Sequence, residues 1–167
     1  VQYKGGLDEF RFYLSALDND EIINICRSEA PEWMLPELPL PGQLDACTIP
    51  DVSYATVNVN QKYDIYLPGG RSLQNTPVLF ITHGGGWGSG SRKEYDPNIW
   101  KNFFPGTAIV SIGYRFAPAY SFPAQENDIK ACVEYVMSKR EEYQISDKIG
   151  FFGASAGAHL SMLYAYK

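Results

Sequence analysis

The chain reads as an α/β protein, a three-layer αβα sandwich built on a mostly parallel sheet. Two observations predict this. Three short apolar runs, 77–82 (PVLFIT), 107–112 (TAIVSI) and 148–152 (KIGFF), lack the polar alternation of a half-exposed strand and suit strands buried on both faces. Stretches with helical spacing separate them, and a strand–helix–strand alternation closes as a parallel sheet with right-handed crossovers. With 167 residues and 45% hydrophobic content, the chain can bury one core.

Taken in order, the elements begin outside that sheet. Leu7, Phe10, Tyr13, Leu14 and Leu17 recur at helical intervals, and Asp18 or Asn19 caps a second short helix carrying Ile22, Ile23 and Ile25. Pro31, Pro36, Pro39, Pro41 and Pro50 then fix too many φ angles and remove too many N–H donors for a regular element. Residues 1–50 are therefore expected to form a helical and proline-rich N-terminal arm, and residues 51–167 the N-terminal part of the α/β domain. Within the latter, 53–59 (SYATVNV) and 62–66 (KYDIY) predict a hairpin turning at Asn60 and Gln61. A helix is expected from Tyr95 to Phe104 and a longer one from Ala124 to Tyr143, whose core face is Ile129, Cys132, Val133 and Val136. A last helix opens just past Ser155.

Charge and composition exclude several functions. A formal net charge of −5 with no run of Lys or Arg provides no basic face for a phosphate backbone, so nucleic acid is not expected as a partner. No segment approaches the ~20 apolar residues of a membrane span. Val1 to Gly6 lack the pattern of a signal peptide, and a first residue other than Met leaves both a removed leader and a piece of a longer product open. Compartment and oligomeric state are likewise left open. Cys26, Cys47 and Cys132 show no C-x-x-C spacing, so no metal site is expected; Cys132 reads as a core thiol, and a Cys26–Cys47 disulfide stays open.

Two glycine-rich motifs carry chemistry. Gly153-Ala154-Ser155-Ala156-Gly157 is a G-x-S-x-G placed between an expected strand and an expected helix. By composition alone it would arise about once in twenty chains of this length, so its position counts for more than its letters. A serine on such a turn projects its hydroxyl above the sheet edge, and the helix that follows points amides and partial positive charge at it. The rival reading is a serine that merely caps a helix. His83-Gly84-Gly85-Gly86-Trp87 follows the 77–82 strand, and its first four residues would arise by chance roughly once in a thousand such chains. Consecutive glycines let backbone N–H groups turn outward, as an oxyanion hole requires. Gly85, Gly86 and Ala156 are the candidate donors. A phosphate-cradling loop fits worse, because no G-x-G-x-x-G passes through 84–90 and Ser91 stands where a P-loop needs Lys.

These motifs come with K-Y-D-I-Y-L-P ending at Pro68, with Gly88-Ser89-Gly90-Ser91, with Tyr114-Arg115-Phe116-Ala117-Pro118 and Phe122-Pro123-Ala124, and with the run GASAGAHL from Gly153. Over residues 52–167 the chain resembles the hormone-sensitive-lipase-like and feruloyl or acetyl esterase branch of the α/β-hydrolases. The resemblance implies the α/β-hydrolase sheet, Ser155 as nucleophile, and the glycine loop with Ala156 as the cradle of a tetrahedral intermediate. It implies a small-molecule ester substrate and no cofactor. In that family an acid and a histidine follow the serine. Only 12 residues follow Ser155 here, none acidic, so the expectation is a chain that stops before its triad is complete and is inactive and poorly soluble alone.

Smaller readings complete the list. His159, four residues after Ser155, is expected to pack inward, and His83 to hydrogen-bond the glycine loop. Arg115 and Asp128 are expected to pair and brace the loop after the 107–112 strand. Trp87 is a candidate for the substrate pocket along with Tyr95 and Trp100, core packing being the alternative for all three. Against the esterase stand two rivals: a non-catalytic binding module of the same fold, and an amidase or peptidase.

Overall fold

A computed structural model describes residues 44–166. The two helices expected within 7–25 and most of the proline-rich arm lie outside the described residues. Five strands form one sheet in the order β1-β2-β4-β3-β5: β1 (Cys47–Ser53), β2 (Lys62–Leu67), β3 (Val78–Thr82), β4 (Ala108–Ile112) and β5 (Ile149–Gly153). β3 pairs in parallel with both β4 and β5, while β2 is antiparallel to β1 and β4, so four of the five strands run the same way.

The three apolar runs become β3, β4 and β5 within a residue of their expected ends, and every residue of β3 and β4 is buried. Helices and turns cover both faces. On one side α2 (Ala124–Ser138) and α4 (Ala156–Ala165) pack over Tyr63, Ile65, Phe80 and Val110, with Ile129, Cys132, Val133, Val136 and Leu160 fully or almost fully buried. On the other, Trp100 stacks on Phe104 and meets the Phe152 ring at 4.7 Å, and Lys101 lies over Tyr66.

Three expected elements are displaced. The hairpin exists, but its first strand is Cys47–Ser53, not 53–59. Val57 and Val59 are 66% and 80% exposed, so their β preference finds nothing to pack against. The Gln61 side chain closes the loop instead, accepting from the amides of Val57 and Asn58 at 3.0 Å each. Pro50 is tolerated because β1 is the edge strand among the described residues, with an irregular register between Ile49 and Val52. The helix expected over 95–104 is a 3₁₀ turn, Arg92–Tyr95, followed by the short α1 (Pro97–Trp100). Pro97 favours an extended residue before it, and Asp96 caps the new start by accepting from the Asn98 amide. The long helix breaks at Lys139 into α2 and the single turn α3 (Arg140–Tyr143).

Asp128, on α2 and 1% exposed, makes the expected pair with Arg115. It accepts from Arg115 Nη2 at 2.7 Å, Nε at 2.9 Å and backbone N at 2.8 Å, and from Gln61 Nε2 at 2.8 Å. This hydrogen bonding raises the Arg115 pKa above its ordinary value. Removing one partner of so buried a pair strands the other, so Asp128→Ala is expected to cost about 3 kcal/mol of stability in urea denaturation. A cost below about 1 kcal/mol would place the pair among the weak surface bridges.

Candidate active site

Thr82 of β3 lies in register with Gly153 of β5 and with Ile112 of β4, so the segments leaving these strands emerge side by side at one edge of the sheet. Those segments are the glycine loop, the serine turn and the loop through Ala117. A Cβ placed on Gly84 would meet Ser155 Cβ at 3.5 Å and Ala154 O at 2.9 Å, which is how closely loop and serine approach.

Ser155 is exposed and holds φ 51° and ψ −116°, a left-handed strained backbone for a residue with a side chain. Its hydroxyl makes no capping bond to α4, so helix capping does not explain it. Close packing behind it allows the turn: a Cβ on Gly157 would overlap Thr82 O, letting α4 start directly over β3.

The glycine loop is held by its own carbonyls. Gly85 O accepts from Gly88 N and Ser89 N at 3.0 Å each and from Ser89 Oγ at 3.1 Å, and Gly85 needs its φ of 106° to make that turn. None of the hydrogen bonds among the described residues uses the amides of Gly85, Gly86 or Ala156. Trp87 also has a left-handed φ of 59°, and its carbonyl accepts from Ala117 N at 2.9 Å.

His83 anchors the start of the loop as expected. It is 1% exposed, and its Nδ1–H donates to Gly84 O at 2.8 Å. Burial lowers its pKa below the ordinary histidine value, which favours the neutral imidazole. The Tyr114 ring stacks on it at 4.3 Å, and the Tyr114 hydroxyl donates to His83 O at 3.0 Å and Gly84 O at 3.2 Å. Burial pushes that phenol up to about 12, so it stays a donor. The supporting role of Tyr114 is not evident in the sequence; the signal that could have found it is an aromatic residue two places past β4, one place beyond the level of His83.

Asp64 was missed in the same way. It sits 3% exposed in β2 and accepts from Asp51 N at 2.7 Å, Arg92 Nε at 3.1 Å and Lys93 Nζ at 2.8 Å, with Arg92 also paired to Asp51. It thereby ties the segment after the glycine loop to the sheet. An acid inside K-Y-D-I-Y was its only sequence mark.

Two further expectations part company. Tyr95 and Trp100 pack with Phe152 on the sheet face, whereas Trp87 stays 41% exposed on the loop. His159 does not pack inward: it is exposed, because position 159 falls on the α4 face that carries Ser155, opposite the buried side of Leu160 and Ser161.

A sheet of this order, with a left-handed serine turn leaving one strand beside a glycine loop leaving its neighbour, is an α/β-hydrolase fold. The BD-FAE family model matches residues 63–167, and the chain belongs to that family. It is 32% identical over 107 residues to the arylacetamide deacetylase of Bos taurus, covering 60% of this chain and 27% of that protein. It is 29% identical over 163 residues to the carboxylesterase NlhH of Mycobacterium tuberculosis, covering 95% of this chain and 48% of that one. A solved bifunctional GH43-CE structure from Bacteroides eggerthii matches with a TM-score of 0.60 and 31% identity, over 70% of this chain and 17% of the other. The chain therefore spans less than half the length of each of these proteins.

Proposed function

We propose that the full-length protein carrying this chain is a serine carboxylic-ester hydrolase, with a small-molecule ester as substrate. Ser155 Oγ attacks the ester carbonyl, and the amides of Gly85, Gly86 and Ala156 hold the oxyanion that forms. Collapse of that intermediate breaks the bond to the alcohol and leaves an acyl-serine, which water then hydrolyses. The base that takes the Ser155 proton and returns it to the leaving alcohol is a histidine oriented by an acid, both from sequence beyond Lys167. Residues 51–167 supply nucleophile and cradle, and Trp87 lines the substrate site.

One observation carries this reading: an exposed serine in a left-handed turn lies in register beside a glycine loop whose Gly85 and Gly86 amides enter no hydrogen bond among the described residues. The esterase names among the relatives and solved structures support it. A fluorophosphonate probe is expected to label Ser155 of the full-length protein stoichiometrically, located by peptide mass spectrometry. Label absent from Ser155, or found on another serine, rejects the assignment.

A further inference from the structure

His159 lies four positions after Ser155, the residue that opens α4, so both stand on one helix face, and both are exposed. A helical side chain leans toward the N-terminal end of its helix, so the imidazole covers the turn that holds the serine. There it meets Trp87, with ring centroids 5.3 Å apart and planes at 83°, the edge-to-face geometry that aromatic rings favour. The Trp87 backbone is secured separately, by its left-handed φ and by Ala117 N on its carbonyl. Its side chain is secured differently: among the described residues Trp87 is 41% exposed and its ring contact is with His159.

An indole this exposed, on a backbone this constrained, has a staggered χ1 and a broad χ2 free to turn unless a neighbour stops them. We infer that His159 is a positioning residue, which fixes the Trp87 indole as a ready-made wall of the ester site and so favours substrates whose acyl group carries an aromatic ring. A wall fixed beforehand spares the bound ring the entropy of ordering it. The inference rests on the acyl-serine reading for its kinetic half, while the contact itself stands apart from that reading.

The test uses the full-length protein labelled with 5-fluorotryptophan, with the Trp87 fluorine resonance assigned by Trp87→Phe. Alanine suits an exposed helical position, so His159→Ala keeps the fold. That variant is expected to shift the Trp87 resonance while the resonance of Trp100, buried against Phe104 and Phe152, holds its place. With an arylcarboxylate ester and an acetate ester of the same alcohol, KM for the aryl ester should rise about two- to tenfold relative to the acetate. His159→Phe, which keeps a ring edge against the indole, should restore both readouts. An unmoved Trp87 resonance, an unchanged KM ratio, or a His159→Phe variant that behaves like His159→Ala overturns the proposal. Failure of the fluorophosphonate to label Ser155 while the resonance still responds to His159 rejects the catalytic reading alone.

Discussion

Ser155→Ala in the full-length protein is expected to lower kcat/KM for ester hydrolysis by about 10⁵- to 10⁶-fold, with no loss of thermal stability. The two halves of that expectation come from the same geometry. Ser155 carries a left-handed φ, makes no helix-capping bond and is exposed, so its hydroxyl contributes nothing evident to the fold. Alanine at the same φ bears the same backbone strain, since both residues have a Cβ. Strain of this kind persists where surrounding packing over-determines it, here through the approach of Gly157 to Thr82 O and of Gly84 to Ala154 O. Activity and unfolding midpoint measured on the same preparation check the claim. A fall below tenfold would remove Ser155 from the nucleophile's role, and a large fall joined to a lowered midpoint would make it structural.

The 167-residue polypeptide by itself is expected to show no ester turnover and to self-associate. The chain holds two histidines. His83 is buried and donates to Gly84 O, and His159 stands against Trp87. Without a base the Ser155 hydroxyl is a weak nucleophile at neutral pH. Association follows from β5: among the described residues it pairs with β3 on one edge and with nothing on the other. Beside that edge Phe151, Phe152, Ala158, Met162 and Tyr166 line an open groove of about 470 Å³. An unpaired strand edge with apolar neighbours is a template for pairing with another chain. Sedimentation velocity and an ester assay on the same sample decide it: a monodisperse monomer that hydrolyses ester contradicts both parts.

Legibility from sequence followed the source of each constraint. The apolar runs of β3 and β4 announced themselves because strands covered on both faces admit almost nothing polar. The hairpin's first strand did not, since S-Y-A-T-V-N-V has the better β composition, yet only Cys47–Ser53 finds a partner in β2. The break at Pro97 is written locally: proline ends one turn and starts another. Arg115 with Asp128 was readable as a pair, while Asp64 and Tyr114 were not, because their partners come from segments remote in sequence.

By itself, then, the sequence determined the order of strands and helices and the two glycine motifs, because burial pattern and the demand for residues without a Cβ act on neighbours along the chain. Tertiary structure alone decided that the serine turn and the glycine loop leave adjacent parallel strands in register, and that His159 faces outward onto Trp87. The physical reason is that strand register and helix rotation are set by packing across the whole sheet, where a shift of one residue would turn every side chain to the other face.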